Sequence, residues 1–101
     1  MKKGSHAELY LKKLLHVGAT LDEREHHATV LRYDEKKECI FFLLESGKLT
    51  DLSLDAIYEC EIQTEEGSIS CTGRISERYC GASGKTFKYE IENGFYKINL
   101  K

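Results

Sequence analysis

Two short patterns hold the side chains best suited to recognition chemistry. Arg74 and Arg78 stand four apart in Arg74-Ile75-Ser76-Glu77-Arg78, and Asp51 and Ser53 stand two apart in Asp51-Leu52-Ser53-Leu54-Asp55-Ala56. On an extended strand, residues i and i+4 share a face roughly 13 Å apart. Two guanidinium forks placed so would suit two phosphates of one ligand. An Asp and a Ser at i and i+2 also share a face, where they could hold base edges or sugar hydroxyls. The plainer reading is that Asp51 and Ser53 end a loop, and that the arginines lie on a solvated strand face opposite Glu59 or Glu61.

The remaining reactive residues form no such pattern. Cys39, Cys60, Cys71 and Cys80 include no C-x-x-C pair, and His6, His16, His26 and His27 do not cluster with them in sequence. Zinc ligands usually come in close pairs, so no metal site is expected. Cys60 and Cys71 alternate with polar residues and read as small core residues. His26 and His27 are adjacent, which on a strand sends the two rings to opposite faces; they read as surface histidines at a strand start. The G-x-S-x-G, H-E-x-x-H and Walker patterns are absent. Gly81-Ala82-Ser83-Gly84-Lys85-Thr86 looks a little like the tail of a phosphate loop. The next segment alternates like a strand, however, whereas a phosphate loop must enter a helix, so it reads as a hairpin loop. Glu59 and Glu61 share a polar strand face and should pair with basic residues on the next strand. No catalytic residue and no cofactor is expected, and the chain does not read as an enzyme.

Positioning these residues falls to one small domain of 101 residues, with 41% hydrophobic and 32% charged side chains. That balance is globular rather than disordered. A net charge of −2 disfavours nucleic-acid binding, and the one basic group, Lys2, Lys3, Lys12 and Lys13, reads as a solvated helix face. The longest apolar run, Cys39 to Leu44, is far too short to span a bilayer. No secretory leader is visible at the charged N-terminus, so reduced thiols in a cytoplasmic setting are expected. The spacing predicts a helix over about 6–16. Ser5 and Glu8 form a capping box, and Ala7, Leu11, Leu14 and Leu15 make one apolar stripe. Everything from about 24 to 100 reads as strands: Arg24–Tyr33, Cys39–Leu44, Ile57–Gln63, Ile69–Ser76, Phe87–Ile91 and Tyr96–Leu100. Asn93-Gly94 is read as a type I′ hairpin turn. Short turns make neighbouring strands antiparallel. The expected fold is therefore mainly all-β, a small six-stranded antiparallel β-barrel with one N-terminal α-helix.

At Asp51, Ser53, Arg74 and Arg78 the chain resembles PilZ domains, six-stranded barrels that bind the bacterial messenger cyclic di-GMP. Their signature is R-x-x-x-R in an N-terminal arm followed by D/N-x-S-x-x-G on the barrel. Asp51 and Ser53 match the first two places of the second motif, and Ala56 replaces its glycine. The R-x-x-x-R is present as Arg74 and Arg78 but follows the Asp-Ser motif; upstream, Arg24 and Arg32 are eight apart and do not match. The run of strands over residues 20–100 is also similar to the N-terminal split barrel of flagellar-brake proteins, which does not itself hold the messenger.

The resemblance implies a single PilZ-like domain over 1–101. It would be a non-enzymatic bacterial regulatory or adaptor module, binding cyclic di-GMP or descended from a binder of it. Arg74 and Arg78 would contact phosphates, and Asp51 and Ser53 base or ribose. The alternative is a structural, self-associating domain without a small ligand, since Cys39, Phe41 and Leu43 need cover from the helix or from another chain. A protein partner or homodimer is expected in either case.

Overall fold

The computed structural model describes residues 1–16, 18, 22 and 24–97. Six strands are present: β1 (His6–Leu14), β2 (Glu25–Asp34), β3 (Cys39–Leu44), β4 (Ala56–Thr64), β5 (Gly67–Gly81) and β6 (Gly84–Lys97). A single 3₁₀ turn, η1 (Leu49–Asp51), precedes β4. All pairings are antiparallel, and the order β1-β2-β3-β6-β5-β4 closes on itself because β1 bonds to both β2 and β4.

Period-two burial explains the strands. In β4, Ala56, Tyr58, Cys60 and Ile62 are buried, while Ile57, Glu59 and Glu61 between them are partly exposed. Cys71 and Ile75 of β5 and Phe87 and Tyr89 of β6 face the same core, joined by Val30, Ile40 and Phe42. Phe42 stacks on Phe87 and meets Tyr89 edge-on. Burying side chains of this size contributes about 1.5–3 kcal/mol each.

Residues 6–14 are a strand, which corrects the expected helix. The stretch carries both periodicities: Ala7, Leu11, Leu14 and Leu15 suit a helix, and Ala7, Leu9 and Leu11 suit a strand. An isolated helix of eleven or so residues is marginal in water. As a strand, the segment fills two hydrogen-bonded ladders at once and buries Ala7 and Leu9 completely. Among the described residues no α-helix is found.

The Asn93-Gly94 turn is also absent, because β6 runs straight through it. The extra residues are absorbed by bulges against β5, with register shifts between Ser70 and Thr72 and between Thr72 and Gly73. The Asn93 amide donates to Thr72 Oγ1 at 2.7 Å. Six strands result all the same, since β1 takes the place of the separate last strand; Ile98 and Leu100 lie outside the described residues. The β5–β6 hairpin turns instead at Ala82-Ser83, where Gly81 pairs with Gly84 and Gly84 adopts φ +106°. Gly73 sits where the backbones approach most closely: a Cβ there would collide with the Glu90 carbonyl.

The apolar run of β3 is covered without a helix. Ile40, Phe42 and Leu44 face inward, and outside, the Arg32 guanidinium lies 4.4 Å from the Phe41 ring centroid with Lys88 Nζ at 6.0 Å. Long basic side chains can cover apolar surface with their stems in this way. No helix among the described residues is long and apolar enough to cross a membrane.

The two assignments of β1 separate by mutation. Leu9→Ala is expected to lower unfolding stability in urea by about 2–5 kcal/mol. Leu15→Ala, on the supposed helical stripe but 40% exposed, should change it by less than about 0.5 kcal/mol.

Candidate functional site

The β3–β4 connection has to cross the ends of β6 and β5, which lie between its two strands in the sheet. It does so with Leu52 pressed into the core. The Lys48, Leu49 and Asp55 carbonyls accept backbone N–H groups of Asp51, Leu52 and Leu15, but a loop outside the ladders needs further donors. Basic side chains supply several. Arg78 Nη1 donates to the carbonyls of Leu49 at 3.3 Å and Leu52 at 2.9 Å. Arg74 Nη2 donates to the Leu54 carbonyl at 3.3 Å, and Lys85 Nζ donates to the Gly47 carbonyl. Asp51 accepts the Lys48 backbone N–H at 3.2 Å and pairs with Arg24 at 2.5 Å. The Lys48 bond, assisted by the Arg24 charge, holds the Asp51 carboxyl below its ordinary value. Ser53 Oγ accepts the Asp55 N–H at 3.1 Å, closing a local turn.

Asp51, Ser53, Arg74 and Arg78 therefore do gather at one loop, at one end of the barrel. The arginines do not share a face, however. A bulge lies between Ile75 and Glu77, so Arg74 sits opposite exposed Glu90 while Arg78 sits opposite buried Phe87. One inserted residue has reversed the alternation, and the two guanidiniums reach the loop from opposite sides of β5. Neither arginine faces Glu59 or Glu61, whose register partners on β5 are Thr72 and Ser70.

Beneath the loop lies a buried polar network that the sequence reading did not anticipate. His26 is only 6% exposed, not a surface residue. Its Nε2 lies 2.5 Å from Asp22 Oδ2. The Tyr58 hydroxyl donates to the same oxygen at 2.6 Å and accepts the Ser53 N–H at 2.8 Å. Asp22 Oδ1 accepts the Arg24 N–H at 3.1 Å. An Asp–His pair is familiar from catalysis, but this one is walled in, and its hydrogen bonds tie the chain before β2 to the loop and to β4. Burial, reinforced by the bond to Asp22, pushes the Tyr58 hydroxyl well above its ordinary value, and burial does the same to Tyr89.

On the outer wall, His6, Glu8 and His27 form the one group of metal-ligating side chains among the described residues. Reading residues 6–16 as a helix concealed it, because i and i+2 share a face only on a strand. All four cysteines are free, three of them buried and Cys80 exposed. At the barrel end opposite the loop, an open depression of about 560 Å³ is lined by Ser5, Gln63, Ser68 and the Lys2–Glu65 ion pair. Compared with family models, curated proteins and solved structures, the chain matches none of them.

The buried tyrosines set an alkaline limit. A phenol whose folded-state pKa is raised adds stability that is fully present below the unfolded value near 10 and is lost as pH rises toward the folded value. Urea unfolding is therefore expected to show stability falling above about pH 10. In an absorbance titration, Tyr58 and Tyr89 should ionise only as the protein unfolds. At neutral pH, Tyr58→Phe leaves Asp22 and the Ser53 N–H each short of a partner and should cost about 1–3 kcal/mol.

Proposed function

We propose that the chain is a non-enzymatic regulatory or adaptor module of PilZ-like character, descended from binders of cyclic di-GMP and now acting by protein contact at its loop end. The observation that supports this most is the use made of Arg74 and Arg78. Guanidinium donors that would meet phosphate in a nucleotide site are engaged by the carbonyls of Leu49, Leu52 and Leu54. The same loop contains Asp51 and Ser53, whose side chains are engaged in shaping it. A loop that a ligand would otherwise order is held by the chain itself, and two arginines on opposite faces of β5 are poorly placed to clamp one dinucleotide.

What this end offers is a contact surface. Arg24 and Arg78 are exposed beside it, and Tyr79, next along β5, is 46% exposed. Arg and Tyr are the residue types that most often anchor protein interfaces. The cover that Arg32 and Lys88 give Phe41 removes the main reason for a second copy of the chain at β3.

Calorimetric titration with cyclic di-GMP tests the reading, with no heat expected at high micromolar ligand. Arg78→Ala should act on stability, lowering it by about 1–2 kcal/mol in urea through the lost charged hydrogen bonds. Saturable nucleotide binding that disappears in an Arg74→Ala, Arg78→Ala pair would instead make the loop a working nucleotide site. Sedimentation should give a monomer at high concentration; a dimer would favour self-association.

A further inference from the structure

A separate feature, independent of the loop, lies on the outer wall between β1 and β2. Because Ala7 and Leu9 point inward, His6 and Glu8 point outward on β1, and the register sets Glu8 directly opposite His27 on β2. His6 Nε2 and His27 Nδ1 are 3.5 Å apart, and Glu8 Oε2 lies 3.8 Å from each. We infer that these three side chains form a binding site for a divalent first-row transition metal, with zinc the best match.

The distances carry the assignment. In the plane of three atoms spaced 3.5, 3.8 and 3.8 Å apart, the equidistant point is about 2.1 Å from each, and zinc bonds imidazole nitrogen and carboxylate oxygen at about 2.0–2.2 Å. An ion can seat there with the backbone as it stands. The two rings are within 21° of parallel, with centroids 5.5 Å apart. The two nitrogens are 3.5 Å apart, a spacing that two ligands of one ion can take.

The surroundings are those of a metal site as well. Metal-binding imidazoles usually give their other nitrogen to a carboxylate or carbonyl, which fixes tautomer and orientation. His6 Nδ1 lies 3.2 Å from Glu45 Oε2, an oxygen that also accepts the Thr29 hydroxyl at 2.6 Å. His27 Nε2 lies 3.4 Å from Glu25 Oε2. Among the described residues, the ion pairs of Glu8, Glu25 and Glu45 are with His6 and His27 alone, with no lysine or arginine. Three carboxylates thus surround two imidazoles without a fixed cation, and a divalent ion would supply the missing charge. Two nitrogens and one oxygen favour zinc, nickel, copper or iron over calcium or magnesium. Three protein ligands on a partly exposed wall leave further coordination positions to water or to a donor from another molecule.

The test is titration of the chelator-treated chain with zinc chloride in a calorimeter, and with cobalt(II) followed by visible absorbance. One equivalent of zinc should bind with micromolar affinity or tighter, and cobalt should give visible bands that zinc abolishes. His6→Ala or His27→Ala should weaken binding by about 100-fold and Glu45→Gln by about 10-fold. His16→Ala, whose ring lies near Asp55 instead, should bind as the parent does. In the unsubstituted protein, zinc should shift the ring-proton resonances of His6 and His27 and leave those of buried His26 in place, a readout that needs no variant to fold. Absence of binding at high micromolar zinc, unshifted His6 and His27 resonances, or parental affinity in the His6 and His27 variants would overturn the assignment.

Discussion

The fold rests on the pairing of β1 with two partners. A sheet of five strands running from β2 to β4 would leave two edges of unpaired amides and carbonyls, and open edges invite association with other chains. β1 satisfies both edges, bonding to β2 from His6 to Tyr10 and to β4 from Ala7 to Leu14. The same closure seals Ala7 and Leu9 against Ala28, Cys60 and Ile62. It also explains why a segment with a respectable helical stripe is extended: two ladders and a filled core outweigh a short helix's local preference.

Closure leaves two ends and an outer wall, and each is finished differently. The β3–β4 connection caps one end, with Leu52 as the apolar plug and arginines as the polar fastening. Bulges are the device that makes this possible. The shift between Ile75 and Glu77 turns Arg78 toward the loop, and the shifts near Thr72 let β6 continue through Asn93-Gly94 rather than reverse. A bulge changes which face each later residue occupies, so one inserted position decides whether two arginines act as a pair or as separate fastenings. Beneath them, Asp22, His26 and Tyr58 satisfy one another at a depth where an unpartnered polar group would be expensive.

Much of the core was legible because alternation is a direct consequence of strand geometry. Tyr58, Cys60 and Ile62 in β4, and Cys71, Gly73 and Ile75 in β5, take the inward places their spacing predicts. Asp51, Ser53, Arg74 and Arg78 meet at one loop, where they bond to its backbone. His26 was misread because its cover comes from distant parts of the chain: it pairs with Leu9 of β1 and meets the Tyr58 ring of β4. His6, Glu8 and His27 were missed for a related reason: their grouping needs the β1–β2 register, and the helical reading had already separated His6 from Glu8.

The order of residues alone was enough to establish a mainly β domain with a period-two core beyond residue 24, because whether a side chain can be buried at every second position is a local property; it did not establish that residues 6–14 are a strand. Which strands neighbour one another, where a bulge reverses a face and which loop an arginine reaches depend on hydrogen bonds between segments tens of residues apart. Those choices belong to the folded chain, since only closure of the sheet determines which carbonyls lack a donor and which imidazoles stand side by side.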